Sequence, residues 1–393
     1  MIYLDSGATS LYRPREVYRV LEETLHLGNP GRGGHRLALE ASKSLFAVRE
    51  KLCTHFGLDD AAGVCFFYNA TTALNVVLKT LVPPGGRVLI SNMEHNAVRR
   101  PALALQKKGV TVDYFEGYGK KEEICASFQK KLGKHPDLAV FLISSNICPV
   151  TLPVKELCAL CRKARVPSLL DAAQAAGHQP LSLRELQADG MVVPSHKGLL
   201  GIAGAGALLA GGPLRKGLED RETLLEGGSG IRSFDSGMPE ELPERLEWGT
   251  PALPAIASLG AGVEYLEKTG YEEISSRISA LNARCREGIG NIKGLQLRGM
   301  EYNPPKGQES GCLLFTCGGR EQPLAQRLYD RGICLREGFH CAPLAHDRIG
   351  TGKTGGLRVS FSLFNRPEQI DRFLEILNQC VREMDADSSR RED

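Results

Sequence analysis

Neither sign of charge prevails in this chain. It carries 49 basic and 46 acidic residues, a net +3, so composition gives no footprint for nucleic acid or an anionic membrane surface. Long apolar runs are missing as well. The longest uncharged stretch, Gly198 to Leu214, is glycine-rich and too short to span a bilayer. The opening MIYLDSGATS lacks the basic and apolar regions of a signal peptide. Twelve cysteines without such a leader point to a reducing compartment where they stay thiols, and a cytoplasmic location is expected. Internal repeats and low-complexity segments are also lacking. Only Cys158 and Cys161 form a CxxC pair. They lie in a helical stretch where residues three apart share a face, and no second pair has ligand spacing, so no metal site is expected.

What remains is an ordinary soluble composition, 42% hydrophobic and 24% charged over 393 residues. That length is more than one core usually holds. From residue 64 to residue 210, apolar strands alternate with helical stretches: VCFFY (64–68), RVLIS (87–91), VTVDYF (110–115), LAVFLIS (138–144), SLL (168–170), MVV (191–193) and GALLA (206–210). Strands apolar throughout, with helices between, predict an α/β domain with a doubly wound, mainly parallel sheet covered on both faces. The texture changes near Pro254. Two helical runs precede short strands at 295–298, 312–317, 333–336 and 357–361, with helices at 321–331 and 367–383. The expected division is a large domain over 14–254 and a smaller α+β domain over 255–393, with residues 1–13 packing near the latter. The charged tail from Glu383 to Asp393 is expected to fray.

Ligands in such sheets bind at the carboxyl ends of the strands. Asp171 follows SLL, Lys197 follows MVVPSH, His95 follows RVLIS and Asn146 follows LAVFLIS, so the four can converge. A carboxylate and a lysine on neighbouring strand ends suit pyridoxal phosphate, held by the lysine as a Schiff base and kept ring-protonated by the acid. The turn Asn69-Ala70-Thr71 opens a helix after a strand. It reads either as a phosphate cradle or as a simple N-cap. His95 reads as a ring that stacks on a pyridine or as a polar helix start. Cys341, in REGFHCAPLAHDRIG, lies in a loop composition that exposes a thiol, and Arg336 and His340 can favour its thiolate. Arg358, in GLRVSF, is a surface charge or a bidentate carboxylate clamp. Cys312 and Cys317 read as core.

Nine segments occur together and in order: YLDSGAT, NPGRGGHR, MEHNAV, SSN, LDAAQAAGH, SHKGLLG, EWGTP, HCAP and RVSFSLFN. In this respect the chain resembles the class V aminotransferase group of pyridoxal-phosphate enzymes, within it the cysteine desulfurase and selenocysteine lyase branch with a short catalytic loop. The resemblance covers nearly the whole chain. It implies fold type I, normally as a homodimer. Lys197 would be the Schiff-base lysine and the acid–base at Cα. Asp171 would pair with the ring nitrogen, Gln174 would reach the phenolic oxygen, and His95 would stack. The amide of Ala70, Thr71, His196 and Thr250 of the other subunit would hold the phosphate. Asn146, Arg358, Arg336 and His35 would hold the substrate, with Cys341 as nucleophile. The implied reaction takes sulfur from L-cysteine, giving alanine and a persulfide on Cys341, whose pKa should lie below the ~8.5 of a free thiol. Short-loop members tend to need a protein that accepts the persulfide.

Two departures stand out. Pro194 occupies the place of a family Ser or Thr that donates to the phosphate, and Ser195 stands where glycine is usual, so Ser195 takes over the contact or cofactor binding weakens. Thr72 replaces a frequent Glu. The competing expectations are selenocysteine lyase, another class V aminotransferase or β-lyase, and a non-catalytic sulfur-trafficking paralogue.

Overall fold

The computed structural model describes residues 1–31, 33–301 and 310–392. Arg32, at the centre of the NPGRGGH loop, lies outside the described residues, as does Asp393 at the end of the charged tail. The strands in chain order are β1 (Ile2–Tyr3), β2 (Val64–Phe67), β3 (Arg87–Ser91), β4 (Thr111–Phe115), β5 (Leu138–Leu142), β6 (Ser168–Asp171), β7 (Gly190–Pro194), β8 (Gly206–Ala210), β9 (Gln296–Arg298), β10 (Cys312–Thr316), β11 (Ile333–Cys334), β12 (Arg336–Gly338) and β13 (Gly356–Ser360).

The main sheet has seven strands in the order β2-β8-β7-β6-β5-β3-β4. From β7 through β4 every pairing is parallel, and β8 runs antiparallel to both its neighbours. Leu138–Leu142 and Gly206–Ala210 are buried at every position, as strands covered on both faces must be. Helices Ala70–Leu81 and Asn96–Gln106 follow β2 and β3. Their apolar stripes enter one buried cluster with Val88, Val140 and Val192. Phe115, Phe128 and Phe141 meet edge to face, with centroids 4.9–6.2 Å apart, in the larger cluster on the other side. Aromatic pairs favour that geometry.

A second sheet, β12-β13-β10-β9, is antiparallel throughout. β1 pairs with β11, and Asp5 bridges to Ser360 at the end of β13. The first residues of the chain are therefore bound to segments more than 300 positions away.

Three local expectations needed revision. The single strand expected over 333–336 is two, β11 and β12, separated at Leu335. Helices at Gly212–Asp220 and Pro343–Arg348 were not foreseen. The C-terminal helix does not stop at 383 but runs from Pro367 to Glu392. No proline or glycine interrupts it there, and its acids have partners. Arg320 pairs with Asp385, Arg327 with Glu383 and Asp387, and Arg331 with Glu383. Such a network orders charges that would fray as an isolated tail. Cys158 and Cys161 are buried in the main core, where desolvation raises both thiols. Among the described residues no helix is long and apolar enough to cross a membrane.

Candidate active site

The carboxyl ends of β2, β3, β5, β6 and β7 open onto one cleft. It is lined by Ala70, Thr71, His95, Asn146, Asp171, Gln174, Pro194, His196 and Lys197, among others. Most of the residues singled out between Ala70 and Lys197 thus meet in one place. The close approach of the segments that follow β6 and β7 depends on two glycines. A Cβ on Gly177 would lie 2.1 Å from the carbonyl oxygen of Gly198, and one on Gly198 would lie 2.2 Å from that of Ala176. Gly177 also has φ +89, a conformation side-chain-bearing residues avoid. The two segments can touch only because both positions lack a side chain, and this sets Asp171 beside Lys197.

Asp171 is buried and accepts a 2.9 Å hydrogen bond from the amide of Ala173. Burial raises its pKa, while the Ala173 amide and the charge of Lys197 pull the other way. Burial likewise lowers the pKa of Lys197, opposed by Asp171. Each group stabilises the ionised form of the other against desolvation. Gln174 is tied by its Nε2 to the Gly7 carbonyl at 2.9 Å. Cys312, read from sequence as core, is buried but touches Gln174 Oε1 at 3.9 Å, so it borders the cleft.

At the mouth of the cleft stand the starts of two helices. The Asn69 side chain caps the first, accepting from the Thr72 amide at 2.9 Å and the Thr72 hydroxyl at 3.1 Å. The amides of Ala70 and Thr71, in the first turn, have no intrahelical acceptor. His95 caps the second, its Nδ1 accepting from the Ala97 amide at 3.0 Å. That bond puts the ring proton on Nε2. Cap and cleft residue, the alternatives open in the sequence, are the same residue here.

Cys341 reaches this mouth from the second sheet. Its carbonyl accepts the Asn96 amide at 2.7 Å, and Arg336 Nη2 lies 3.9 Å from its sulfur. Both His340 (φ +50) and Cys341 (φ +57) adopt the left-handed conformation. For residues with side chains this costs about 1–2 kcal/mol each. Asn146 Nδ2 donates to the His340 carbonyl at 2.7 Å, and the Asn146 carbonyl accepts from Arg358 Nη1 at 2.9 Å. Arg358, 1% exposed, is also held by Asp5 through Nη2 at 2.5 Å. Arg336 and Arg358 face each other directly across β12 and β13. Like charges so placed repel, and one carboxylate for two guanidiniums leaves a place suited to an anion. Nothing local in the sequence marks Asp5 as the partner of Arg358, 353 positions away.

Three residues stand apart from the cleft. Ser195 is fully buried with its Oγ packed against Gly201, where an added Cβ would come within 2.1 Å of it. Its hydroxyl is not in the lining and has no hydrogen-bond partner among the described residues. His35 is exposed and caps helix Arg36–His55, its Nδ1 accepting from the Ala38 amide at 3.3 Å. Its Nε2 is left free by this cap. Thr250 is exposed in a different hollow, beside Phe67, Tyr68 and Trp248, and accepts from Asn29.

Several buried polar atoms at the site have no partner among the described residues: Asn146 Oδ1, His196 Nδ1 and Arg358 Nε. Orphans of this kind in one region indicate a polar ligand. A lysine nitrogen, helix-start amides and two guanidiniums as donors, with one carboxylate as acceptor, form a set that fits a phosphorylated pyridine aldehyde and an amino-acid carboxylate. Among the described lining residues only Pro194 lacks a backbone N–H, and its side chain carries no donor either.

Burial also fixes the protonation of the site's histidines. The pKa values of His95, His178, His196 and His346 are lowered to about 4 and that of His340 to about 2, in each case first by desolvation. Unfolded, each takes up a proton near 6.5. Folded, each resists until about pH 4 or below, so their contribution is complete above 6.5 and lost as the pH falls toward 4. Glu94 (pushed up to about 8), Asp171 and Asp189 act in the opposite sense, three groups against five. The melting temperature of the cofactor-free protein is therefore expected to fall between pH 6.5 and 4.5; a flat profile would contradict these burials.

The architecture is fold type I of the pyridoxal-phosphate-dependent transferases, with the lysine and the acid at the carboxyl edge of its large sheet. A family model described as aminotransferase class-V matches residues 2–373, and the chain belongs to that family. A probable cysteine desulfurase of Synechocystis sp. is 29% identical over 395 residues, covering 97% of this chain and 91% of the relative. Probable cysteine desulfurase 2 of Mycobacterium leprae is 30% identical over 388 residues, covering 95% and 90%. The apo structure of a cysteine desulfurase from Thermococcus onnurineus superposes with a TM-score of 0.87 at 28% identity, covering 97% of this chain and 95% of that one.

Proposed function

We propose that this protein is a pyridoxal-phosphate-dependent cysteine desulfurase that takes sulfur from L-cysteine, releases L-alanine and carries the sulfur as a persulfide on Cys341. One observation carries the reading. The Cys341 turn is bonded to the start of the His95 helix, at the mouth of the cleft that holds Lys197 and Asp171. Transamination needs no thiol there.

The geometry supports the following roles. Lys197 would attach the cofactor covalently, and its lowered pKa suits an amine that must also give and take a proton at Cα. Asp171 would hold the proton on the ring nitrogen, regaining the charge partner that burial makes costly to lack. The amides of Ala70 and Thr71, the Thr71 hydroxyl and His196 would hold the phosphate, joined by Thr250 from a second copy. When bound, pyridoxal phosphate draws electrons from the substrate Cα. Arg358 and Asn146 would hold the substrate carboxylate, with Arg336 beside them. Cys341, as thiolate next to the Arg336 guanidinium, attacks the substrate sulfur. The new S–S bond forms as the Cβ–S bond breaks, and the bonding pair passes to the carbon skeleton, which is protonated and leaves as alanine.

The second copy is supported by a set of exposed apolar side chains: Leu37, Leu39, Phe46, Tyr68, Leu225 and Phe234. Exposed sets of this size mark interaction surfaces, and Tyr68 and Leu225 line the same hollow as Thr250. The reading includes a cytoplasmic homodimer and a protein acceptor for the persulfide. Selenocysteine would meet the same residues, so competition between the two substrates belongs in the first assay. A non-catalytic sulfur-trafficking role has one supporting observation, Pro194 in the cleft lining. With added cofactor and a reductant, L-cysteine should yield alanine and sulfide in equal amounts. A protein that binds no cofactor and yields neither would leave the trafficking role as the better account.

A further inference from the structure

The left-handed turn at His340 and Cys341 is backed by a buried file of polar groups that the reaction itself does not use. His340 Nε2 lies 3.1 Å from the Arg336 carbonyl, His340 Nδ1 lies 3.1 Å from His346 Nε2, and His346 Nδ1 lies 2.7 Å from the Thr351 hydroxyl. The two rings stack with centroids 5.4 Å apart at 15°. All three side chains sit in the interior, none more than 2% exposed.

The protons in this file follow from chemistry alone. A carbonyl only accepts, so His340 carries its proton on Nε2 and leaves Nδ1 bare. His346 must then donate from Nε2, which leaves its own Nδ1 bare. The hydroxyl of Thr351 donates to that atom, closer at 2.7 Å than the His346 carbonyl at 3.3 Å. Every donor therefore points the same way, from Thr351 toward Arg336, and such chains reinforce one another in a low-dielectric interior. Burial keeps both rings neutral, as the file requires. Its last acceptor belongs to the residue whose guanidinium touches the Cys341 sulfur, and its last ring belongs to the residue that precedes Cys341.

We propose that Thr351, His346 and His340 are a hydrogen-bonded positioning relay that holds the 336–341 segment closed and sets the Cys341 thiol against Arg336 for attack on the substrate sulfur. The proposal rests on Cys341 as the nucleophile. None of the three is a catalytic residue, because each acts through the backbone or through its neighbour.

The test compares Thr351→Val with Thr351→Ser in the holoenzyme. Valine keeps the shape and removes the donor; serine keeps the donor and removes the methyl group. The valine variant should release sulfide about tenfold more slowly, the usual consequence of one lost buried hydrogen bond, and serine should restore the rate. The change in visible absorption on adding L-cysteine, which reports on the Lys197 side of the cleft, should be the same in all three proteins. A valine variant as fast as wild type, a serine variant as slow as valine, or loss of the absorption change would each overturn the relay. Nitrogen NMR of histidine-labelled holoenzyme checks it without any substitution: both rings must be protonated on Nε2, and an Nδ1 proton on either one overturns it. Sulfide release undiminished in Cys341→Ala would instead remove the underlying reading, so the two failures are distinguishable.

Discussion

Cys341→Ala should lower sulfide release from L-cysteine by on the order of a thousandfold or more, the effect of removing a group on which the chemical step depends. The protein should still bind the cofactor, and its visible spectrum should still respond to L-cysteine. The split arises because Cys341 follows a strand of the second sheet while the residues proposed to hold the cofactor come from the first. No other thiol is placed to substitute. Of the other described cysteines only Cys125 and Cys334 are partly exposed. Cys125 lies on helix Lys121–Leu132, and Cys334 is paired with Tyr3 in β11. Cys312 borders the cleft, but burial raises its pKa and suppresses the thiolate. Assays of alanine and sulfide beside absorption spectra check this. Undiminished sulfide release would return the protein to the other chemistries of its family.

Lys197→Ala should act one stage earlier. Losing both the covalent anchor and the acid–base at Cα should reduce turnover by about a thousandfold or more, and the visible band of covalently held cofactor should vanish. The variant also leaves Asp171 buried without its cationic neighbour, so weaker folding is a second expected effect, which a melting curve separates from the catalytic loss. A Lys197→Ala protein that keeps both its colour and its rate would rule out the assigned anchor.

The large sheet was legible because its strands are apolar on both faces, a pattern that few alternatives produce, and because Asp171, Lys197, His95 and Asn146 each follow such a run. The residues that set the Cys341 turn were not. His346 and Thr351 sit in a stretch whose glycines and polar residues read as an exposed loop, yet the file they form is buried, and its bonds follow from a backbone path that composition does not encode. Asp5 lies too far along the chain from Arg358 for any periodicity to join them. The direction of the Ser195 side chain depends on its tight contact with Gly201, which only the fold reveals. His35 was placed by motif at the substrate, and the motif carried no sign that its Nδ1 also caps helix Arg36–His55. The tail expected to fray is helical because Arg320, Arg327 and Arg331 neutralise it, a long-range pairing hidden behind a local run of charge.

The most direct test of the account is mass spectrometry of the peptide containing Cys341 after the holoenzyme has met one equivalent of L-cysteine without reductant. One additional sulfur atom on Cys341, formed together with one alanine, is the predicted result. Alanine formed while Cys341 stays unmodified, or sulfur found on another cysteine in its place, would contradict it.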